Sequence, residues 1–100
     1  MTEQERDDTT GGDVAVGPGT PGGTALAVLE YLANQIVDDP SSVRIEADQT
    51  SGGMTLRLHV ASDDMGKVIG KRGRVAQSIR TLVRAAGARD GIAVNVDIVD

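Results

Sequence analysis

The stretch Val68-Ile69-Gly70-Lys71-Arg72-Gly73-Arg74 is the most informative segment of this chain. Two glycines enclose two cations, an apolar pair precedes them, and a long amphipathic run follows. The pattern predicts a short helix, a four-residue G-x-x-G turn and a second helix that begins directly after the turn. Glycine has no Cβ, so it tolerates positive φ and lets a ligand approach the backbone closely. Because the N-terminus of a helix attracts anions and Lys71 and Arg72 add positive charge, the segment predicts a site for phosphates.

The charge of the chain is unevenly distributed along its length. The formal net charge of −5 by itself argues against a polyanionic ligand. Residues 1–23 carry −4, residues 24–64 carry −5 and residues 90–100 carry −3, whereas residues 65–89 carry +7 and no acid. The positive charge therefore lies in the segment that holds the glycine turn, where it directs a polyanion to one face. A solvated basic helix face is the alternative interpretation.

Composition limits the class of protein. The 100 residues suffice for one domain, and no apolar run is long enough for a transmembrane helix. The polar, acidic N-terminus lacks the pattern of a signal peptide, so we expect a cytoplasmic protein without membrane contact. No Cys is present, which excludes disulfides and thiolate metal sites. So small a domain buries a limited share of its surface, which favours self-association, for instance as a homodimer.

The N-terminal segment differs in composition from the rest of the chain. Residues 1–23 contain six Gly, four Thr and two Pro, and Val14-Ala15-Val16 is their only apolar group. Burial of that group cannot offset the loss of chain entropy, so we predict a disordered acidic tail followed by a folded domain over residues 24–100. We interpret the tail as an arm without a specific role; a solubilising or autoinhibitory arm is the alternative.

Apolar spacing predicts the elements before the glycine turn. Thr24 is a suitable N-cap for a first helix, which Asp38-Asp39-Pro40 ends because a residue before proline leaves the helical region. Alternating apolar and polar residues over 43–48 and 54–60 predict the two strands of a hairpin. The acidic run Ser62-Asp63-Asp64 is then expected to cap a short second helix.

The remaining segment predicts a third helix and a last strand. Gly87 is a typical residue just beyond a helix C-terminus, and alternation over residues 92–98 indicates a strand. The order helix–strand–strand–helix–GXXG–helix–strand predicts an α+β fold, a three-stranded sheet with three helices packed on one face. The predicted buried stripe of the third helix consists of Val75, Ile79, Leu82, Val83 and Ala86.

The glycine segment also carries a family resemblance. Ile69-Gly70-Lys71-Arg72-Gly73 matches the I-G-x-x-G signature of KH domains, and the element order resembles the type II, prokaryotic KH fold. From about residue 26 to residue 100 the chain is similar to the KhpA family of small bacterial stand-alone KH-domain proteins. That resemblance rests on the glycine segment together with Val37-Asp38-Asp39-Pro40-Ser41-Ser42-Val43 and Ala76-Gln77-Ser78-Ile79-Arg80-Thr81-Leu82.

The resemblance implies a function. It implies a cytoplasmic protein that binds single-stranded RNA and acts as an RNA chaperone and post-transcriptional regulator. It further implies a complex with a KhpB-type KH-domain protein and a link to cell shape and cell-wall homeostasis. In a KH domain the G-x-x-G loop clamps the backbone of about four nucleotides.

The predicted RNA-binding site centres on the glycine loop. Its amides are expected to hold phosphates, and the neighbouring cations make charge-assisted contacts. Ile69 and Val68, with a strand edge, are expected to form an apolar floor under the bases, while Arg80 and Arg84 either extend the phosphate path or face solvent. With one Tyr and no Phe or Trp, base stacking is limited and affinity is expected to be modest. The predicted site residues are Lys67, Val68, Ile69, Gly70, Lys71, Arg72, Gly73 and Arg74.

Three other functions are weighed against RNA binding. An enzyme is disfavoured because the P-loop pattern is absent, and we expect no catalytic residue, metal or other cofactor. His59, the one His, falls on the polar face of a predicted strand without a partner. A protein-interaction (dimerisation) module whose RNA contact comes from its partner stays open. A single-stranded DNA binder also stays open, because no residue identifiably reads a 2′-hydroxyl.

Overall fold

A computed structural model describes residues 22–99, so nearly all of the tail predicted over residues 1–23 lies outside the described part. The chain also contains three short 3-10 turns. Pro40–Ser42 lies before the first strand, Ser62–Asp64 before the second helix and Lys71–Gly73 before the third helix. The predicted element order and the α+β class are confirmed. The main elements are α1 (Gly23–Ile36), β1 (Arg44–Thr50), β2 (Gly53–His59), α2 (Met65–Ile69), α3 (Arg74–Arg89) and β3 (Val94–Val99).

The sheet is mixed, with the strand order β1–β2–β3. β1 runs antiparallel to β2 with Ala47 opposite Leu56, and β2 runs parallel to β3 with Leu56 opposite Val96. Because alternate residues of a strand point to opposite faces, these three side chains lie on one apolar face. The opposite face is polar and carries Arg44, Glu46, Asp48, Arg57, His59 and Asp97.

The helices cover the apolar face of the sheet and form an aliphatic core. Leu29 of α1, Leu56 and Leu58 of β2, and Val83 of α3 are fully buried. Full burial of such a side chain contributes about 1.5–3 kcal/mol relative to exposure, so a few of them stabilise a small domain substantially. No helix within residues 22–99 is long and apolar enough to cross a membrane.

The first helix begins slightly earlier than predicted. Gly22, with φ of 86°, occupies the N-cap position, and the helix starts at Gly23. Thr24 is therefore an exposed residue of the first turn, and the prediction that it is the N-cap is wrong.

The third helix departs from its prediction at two positions, one in the buried stripe and one at the predicted end of the helix. Leu82 is 51% exposed, because each residue turns a helix by about 100° and Ile79 and Val83 already define the inward side. Gly87 lies buried inside the helix, which continues to Arg89, rather than beyond its end. A Cβ at Gly87 would stand 2.5 Å from Cγ2 of Val94 and 2.9 Å from the carbonyl oxygen of Ile92. Gly87 therefore allows α3 to approach β3 closely, which sequence alone did not reveal.

Candidate nucleic-acid interface

The G-x-x-G turn joins α2 to α3 through backbone conformations that favour glycine. The φ angles are 75° at Gly70, 57° at Arg72 and 73° at Gly73. The N–H of Gly70 donates to the carbonyl of Gly66 at 2.8 Å, and the N–H of Gly73 donates to the carbonyl of Gly70 at 3.1 Å. These hydrogen bonds close the turn, so α3 begins directly after it, as predicted from the sequence.

The two glycines of the turn are needed for different reasons. A Cβ at Gly70 would press against the side chain of Val75, 2.7 Å from its Cβ and 2.9 Å from its backbone nitrogen. A Cβ at Gly73 would meet no heavy atom within 4 Å, so only the left-handed backbone favours glycine there. Gly70 therefore allows close contact between the end of α2 and the first turn of α3. Gly73 leaves open space in front of the N-terminus of α3.

Arg72 combines an exposed charge with an unfavourable backbone conformation. Between residues 22 and 99 it is the one non-glycine residue with positive φ. A left-handed conformation costs a non-glycine residue about 1–2 kcal/mol. Strained backbone conformations of this kind are concentrated at functional loops. Here the strained residue lies at the tip of the turn, next to the exposed Lys71.

The two apolar residues of α2 face different environments. Val68 is 0% exposed and belongs to the core, so the prediction that it lies in the floor beneath the bases does not hold. One side of a five-residue helix must pack against the protein, and Val68 occupies that side. Ile69 is 39% exposed and directly precedes Gly70, so its place in the apolar floor stays a prediction.

The start of α2 is held by a contact that the sequence did not reveal. The carboxylate of Asp64 is buried and accepts the N–H of Asp38 at 3.1 Å and the N–H of Asp39 at 3.0 Å. Asp64 occupies the N-cap position of α2, as predicted, but its side chain makes no capping hydrogen bond to that helix. The carboxylate instead joins the segment after α1 to the start of α2.

Lys67 has acidic partners, unlike the other predicted cations of the site. Its Nζ contacts the carboxylate of Asp38 and lies 3.7 Å from Oδ1 of Asp64. The hydrogen bond with Asp38 raises the pKa of Lys67, and Coulomb attraction to both carboxylates adds to the effect. Part of the Lys67 charge is therefore compensated locally. The ion pairs found within residues 22–99 involve none of Lys71, Arg72 and Arg74.

The two arginines further along α3 differ in their surroundings. Nε of Arg80 donates to the carbonyl oxygen of Val96 at 3.3 Å, so its half-buried side chain lies against β3. Arg84, one turn later, is exposed. The sequence left open whether these two arginines extend the phosphate path or face solvent. In the structure Arg84 faces solvent, whereas the side chain of Arg80 is bonded to the edge of the sheet.

Side chains on the polar face of the sheet pair with one another across the strands. Nε2 of His59 lies 2.9 Å from Oε1 of Glu46, so the prediction that His59 has no partner is wrong. This hydrogen bond lowers the pKa of Glu46. Arg57 pairs with Asp48 at 3.3 Å on the same face, so these side chains form cross-strand pairs.

We expect Gly70→Ala to lower the free energy of unfolding more than Gly73→Ala. Alanine is strained at both positions by about 1–3 kcal/mol, since Gly73 has φ 73° and ψ 13° and Gly70 has φ 75° and ψ 175°, a region essentially restricted to glycine. Only at Gly70 does the new Cβ also overlap Val75, which adds about 1–3 kcal/mol of overpacking. Urea denaturation measures the difference, with Gly66→Ala as the control because its Cβ would meet nothing within 4 Å. Equal losses at the two loop glycines would contradict the steric role of Gly70.

Asp64→Asn is expected to destabilise the protein by about 1.5–3 kcal/mol, the usual contribution of hydrogen bonds to a charged group. The amide side chain retains a single acceptor oxygen for the two backbone N–H groups. Asp63→Asn is the matched control, since Asp63 is exposed and adjacent in the chain. Thermal and urea denaturation measure both variants. A loss at Asp64 no larger than that at Asp63 would show that other contacts hold α2 in place.

Comparison with known sequences identifies relatives over most of the chain. The family model for the KhpA/KhpB KH domain matches residues 27–98. The RNA-binding protein KhpA of Mycobacterium bovis is 44% identical over 72 residues, which cover 72% of this chain and 86% of the relative. The RNA-binding protein KhpA of Clostridium acetobutylicum is 42% identical over 72 residues, 72% of this chain and 96% of the relative.

Two solved structures share the fold. A variant of Era from Aquifex aeolicus, bound to GDP and aluminium fluoride, superposes with a TM-score of 0.55 at 17% identity over 75% of this chain. Era in complex with MgGDPNP and a segment of 16S ribosomal RNA gives a TM-score of 0.57 at 16% identity over 74% of this chain. The present chain spans only 30% and 28% of those two chains, so the likeness concerns the fold alone. On the family match and the identity to both KhpA proteins, the chain belongs to the KhpA/KhpB family of KH domains.

Proposed function

We propose that the protein binds single-stranded RNA through the G-x-x-G loop between α2 and α3. The supporting observation is that Lys71, Arg72 and Arg74 are exposed and lie outside the ion pairs of the described chain. They surround a turn in which Gly73 leaves open space before a helix N-terminus. The relatives named RNA-binding protein KhpA make RNA the first ligand to test.

The recognition mechanism follows from the backbone of the loop. The first N–H groups of a helix lack partners within that helix, and the helix dipole favours an anion near them. α3 is 16 residues long, so its N-terminus carries a substantial partial positive charge. A phosphate in front of Gly73 would accept hydrogen bonds from amides while Lys71 and Arg72 neutralise its charge. Arg74, and Lys67 once released from Asp38, would reach neighbouring phosphates.

The bases would contact a small apolar surface. Ile69 is exposed beside the loop and would lie under a base, together with the edge of the sheet. The one aromatic residue, Tyr31, lies on α1 and is 64% exposed. Because stacking on an aromatic platform contributes about 1–3 kcal/mol per base, binding without one is weaker and less selective.

Weak, backbone-directed binding fits an RNA chaperone, which must release the strands that it holds. We therefore propose a post-transcriptional regulator in the cytoplasm that acts with a KhpB-type partner and influences cell shape and cell-wall homeostasis. A protein-interaction module is the second candidate, alone as a homodimer or with that partner. It is favoured by two large apolar side chains left exposed, Tyr31 on α1 and Leu82 on α3.

Replacing both Lys71 and Arg72 by Asp should weaken RNA binding about a hundredfold or more, because two charge-assisted contacts become repulsive. The loop tip is exposed, so the fold should survive, which circular dichroism can check. Gel shifts with single-stranded RNA, single-stranded DNA of the same sequence and duplex RNA measure binding and separate the ligand classes. Arg44→Asp with Arg89→Asp is the control, since it changes the net charge equally at exposed positions on β1 and at the far end of α3. Unchanged affinity in the folded loop variant would overturn RNA binding by this loop and leave the interaction module.

The salt dependence of binding should report how many cations take part. For a single strand the slope of log K against log salt is about −0.7 per neutralised phosphate. We expect a slope of about −3 if Lys67 leaves Asp38 and contacts the RNA together with Lys71, Arg72 and Arg74. We expect a slope of about −2 if Lys67 stays paired with Asp38. Deleting residues 1–21 removes a formal −4 and should tighten binding mainly at low salt if that segment approaches the loop. A slope near zero would show that the basic segment does not contact the RNA.

A further inference from the structure

One strand of the sheet exposes backbone hydrogen-bonding groups beside α3. β3 is an edge strand, and the carbonyl of Ala93 just before it accepts the N–H of Met54 at 2.8 Å, so it points toward β2. Backbone groups of successive strand residues point to alternate sides. The N–H and C=O groups of Val94, Val96 and Ile98 therefore point away from β2, along the free edge of the sheet.

At the middle of this edge, a side chain from α3 donates a hydrogen bond to one of the exposed backbone carbonyls. The carbonyl of Val96 accepts Nε–H of Arg80 at 3.3 Å, and Arg80 is half-buried in that position. A guanidinium group has several N–H donors and no acceptor, so its remaining N–H groups stay available. The edge at Val96 therefore presents the N–H of Val96 and the guanidinium N–H groups, while Arg80 takes one of the two acceptor positions of the Val96 carbonyl.

This part of the edge lies on a path from the glycine loop. Gly73, Gln77, Arg80 and Arg84 follow one another at intervals of three or four residues, so they share one side of α3. Arg80 comes seven residues after Gly73, a distance of about 10 Å along the helix axis. A strand clamped by the loop over about four nucleotides can therefore extend to Arg80.

We propose that Arg80 determines base preference, favouring uracil, which has two carbonyl oxygens and no amino group, over adenine, which has an amino group and no carbonyl oxygen. This inference rests on RNA binding by the loop and deepens it. An uncovered strand residue offers an N–H beside a C=O, which matches the adjacent acceptor and amino donor of adenine or cytosine. With the carbonyl of Val96 already bonded to Arg80, donors outnumber acceptors at this point of the edge. Donors match the carbonyl oxygens of uracil and leave the amino group of adenine without an acceptor.

The test compares fluorescent oligouridine and oligoadenosine of equal length. The wild-type protein should bind oligouridine about tenfold more tightly, the effect of about one hydrogen bond. Arg80→Met uncovers the carbonyl of Val96 and removes the donors, so the preference should vanish or reverse. Arg84→Met is the matched control: it removes the same charge one turn later from an exposed position and should leave the ratio of the two affinities unchanged.

Arg80→Lys provides a second variant, because Lys keeps the charge but replaces the planar guanidinium by a single ammonium. This variant should still bind both oligonucleotides, but the ratio of its affinities for oligouridine and oligoadenosine should be smaller than in the wild-type protein. Circular dichroism checks that both Arg80 variants fold. If the wild-type protein binds neither oligonucleotide, the proposed function fails. If it binds both equally, or if the ratio is unchanged in the folded Arg80 variants, the assignment of Arg80 alone is overturned.

Discussion

Asp64 places a carboxylate that is only 2% exposed between the end of α1 and the start of α2, where it accepts two backbone N–H groups. A buried charge without partners costs several kcal/mol, so the segment at Asp38 and Asp39 has to stay where its N–H groups reach this carboxylate. The five residues of α2 are too few to form a stable helix by themselves. α2 therefore depends on tertiary contacts: Asp64 at its start, Val68 in the core and the Gly70–Val75 contact at its end. The position of the glycine loop follows from these three contacts.

Local charge, rather than net charge, decides whether this acidic chain can hold a polyanion. The carboxylates of the sheet lie on its polar face, where Glu46 and Asp48 have partners in His59 and Arg57. Near the loop, Asp38 is paired with Lys67. The tip cations are thus left without such partners in the described chain, and exposed charges beyond about 8 Å are largely screened at physiological salt. A formal charge of −5 is consequently compatible with a positive loop.

The element order and the loop could be predicted from sequence because they depend on local patterns. The alternation of apolar and polar residues in a strand indicates which side chains face the core. The spacing of the two glycines indicates where the backbone adopts positive φ. The predictions that Leu82 is buried, that Gly87 ends the helix and that the side chain of Asp64 caps α2 failed, because each outcome depends on a neighbour distant in sequence. An apolar residue at the margin of a helical stripe is buried only if a partner covers it. A helical glycine that permits close approach to Val94 has the same local signature as one that ends a helix.

The ability of the site to discriminate between bases would likewise depend on contacts between residues that are distant in sequence. The domain has an aliphatic core and one tyrosine, so aromatic stacking can supply little selectivity. Apolar contact with Ile69 is also insensitive to base identity, since every base has an apolar face. Selectivity then has to come from hydrogen bonds, whose discriminating power arises from the cost of leaving a desolvated polar group without a partner. In this fold such groups lie where β3 forms the edge of the sheet, and Arg80 bonds to one of them, the carbonyl of Val96, so on our proposal it influences which of them face a base. Arg80, for which the sequence left open a phosphate contact or exposure to solvent, is on this proposal placed where it can act on the bases.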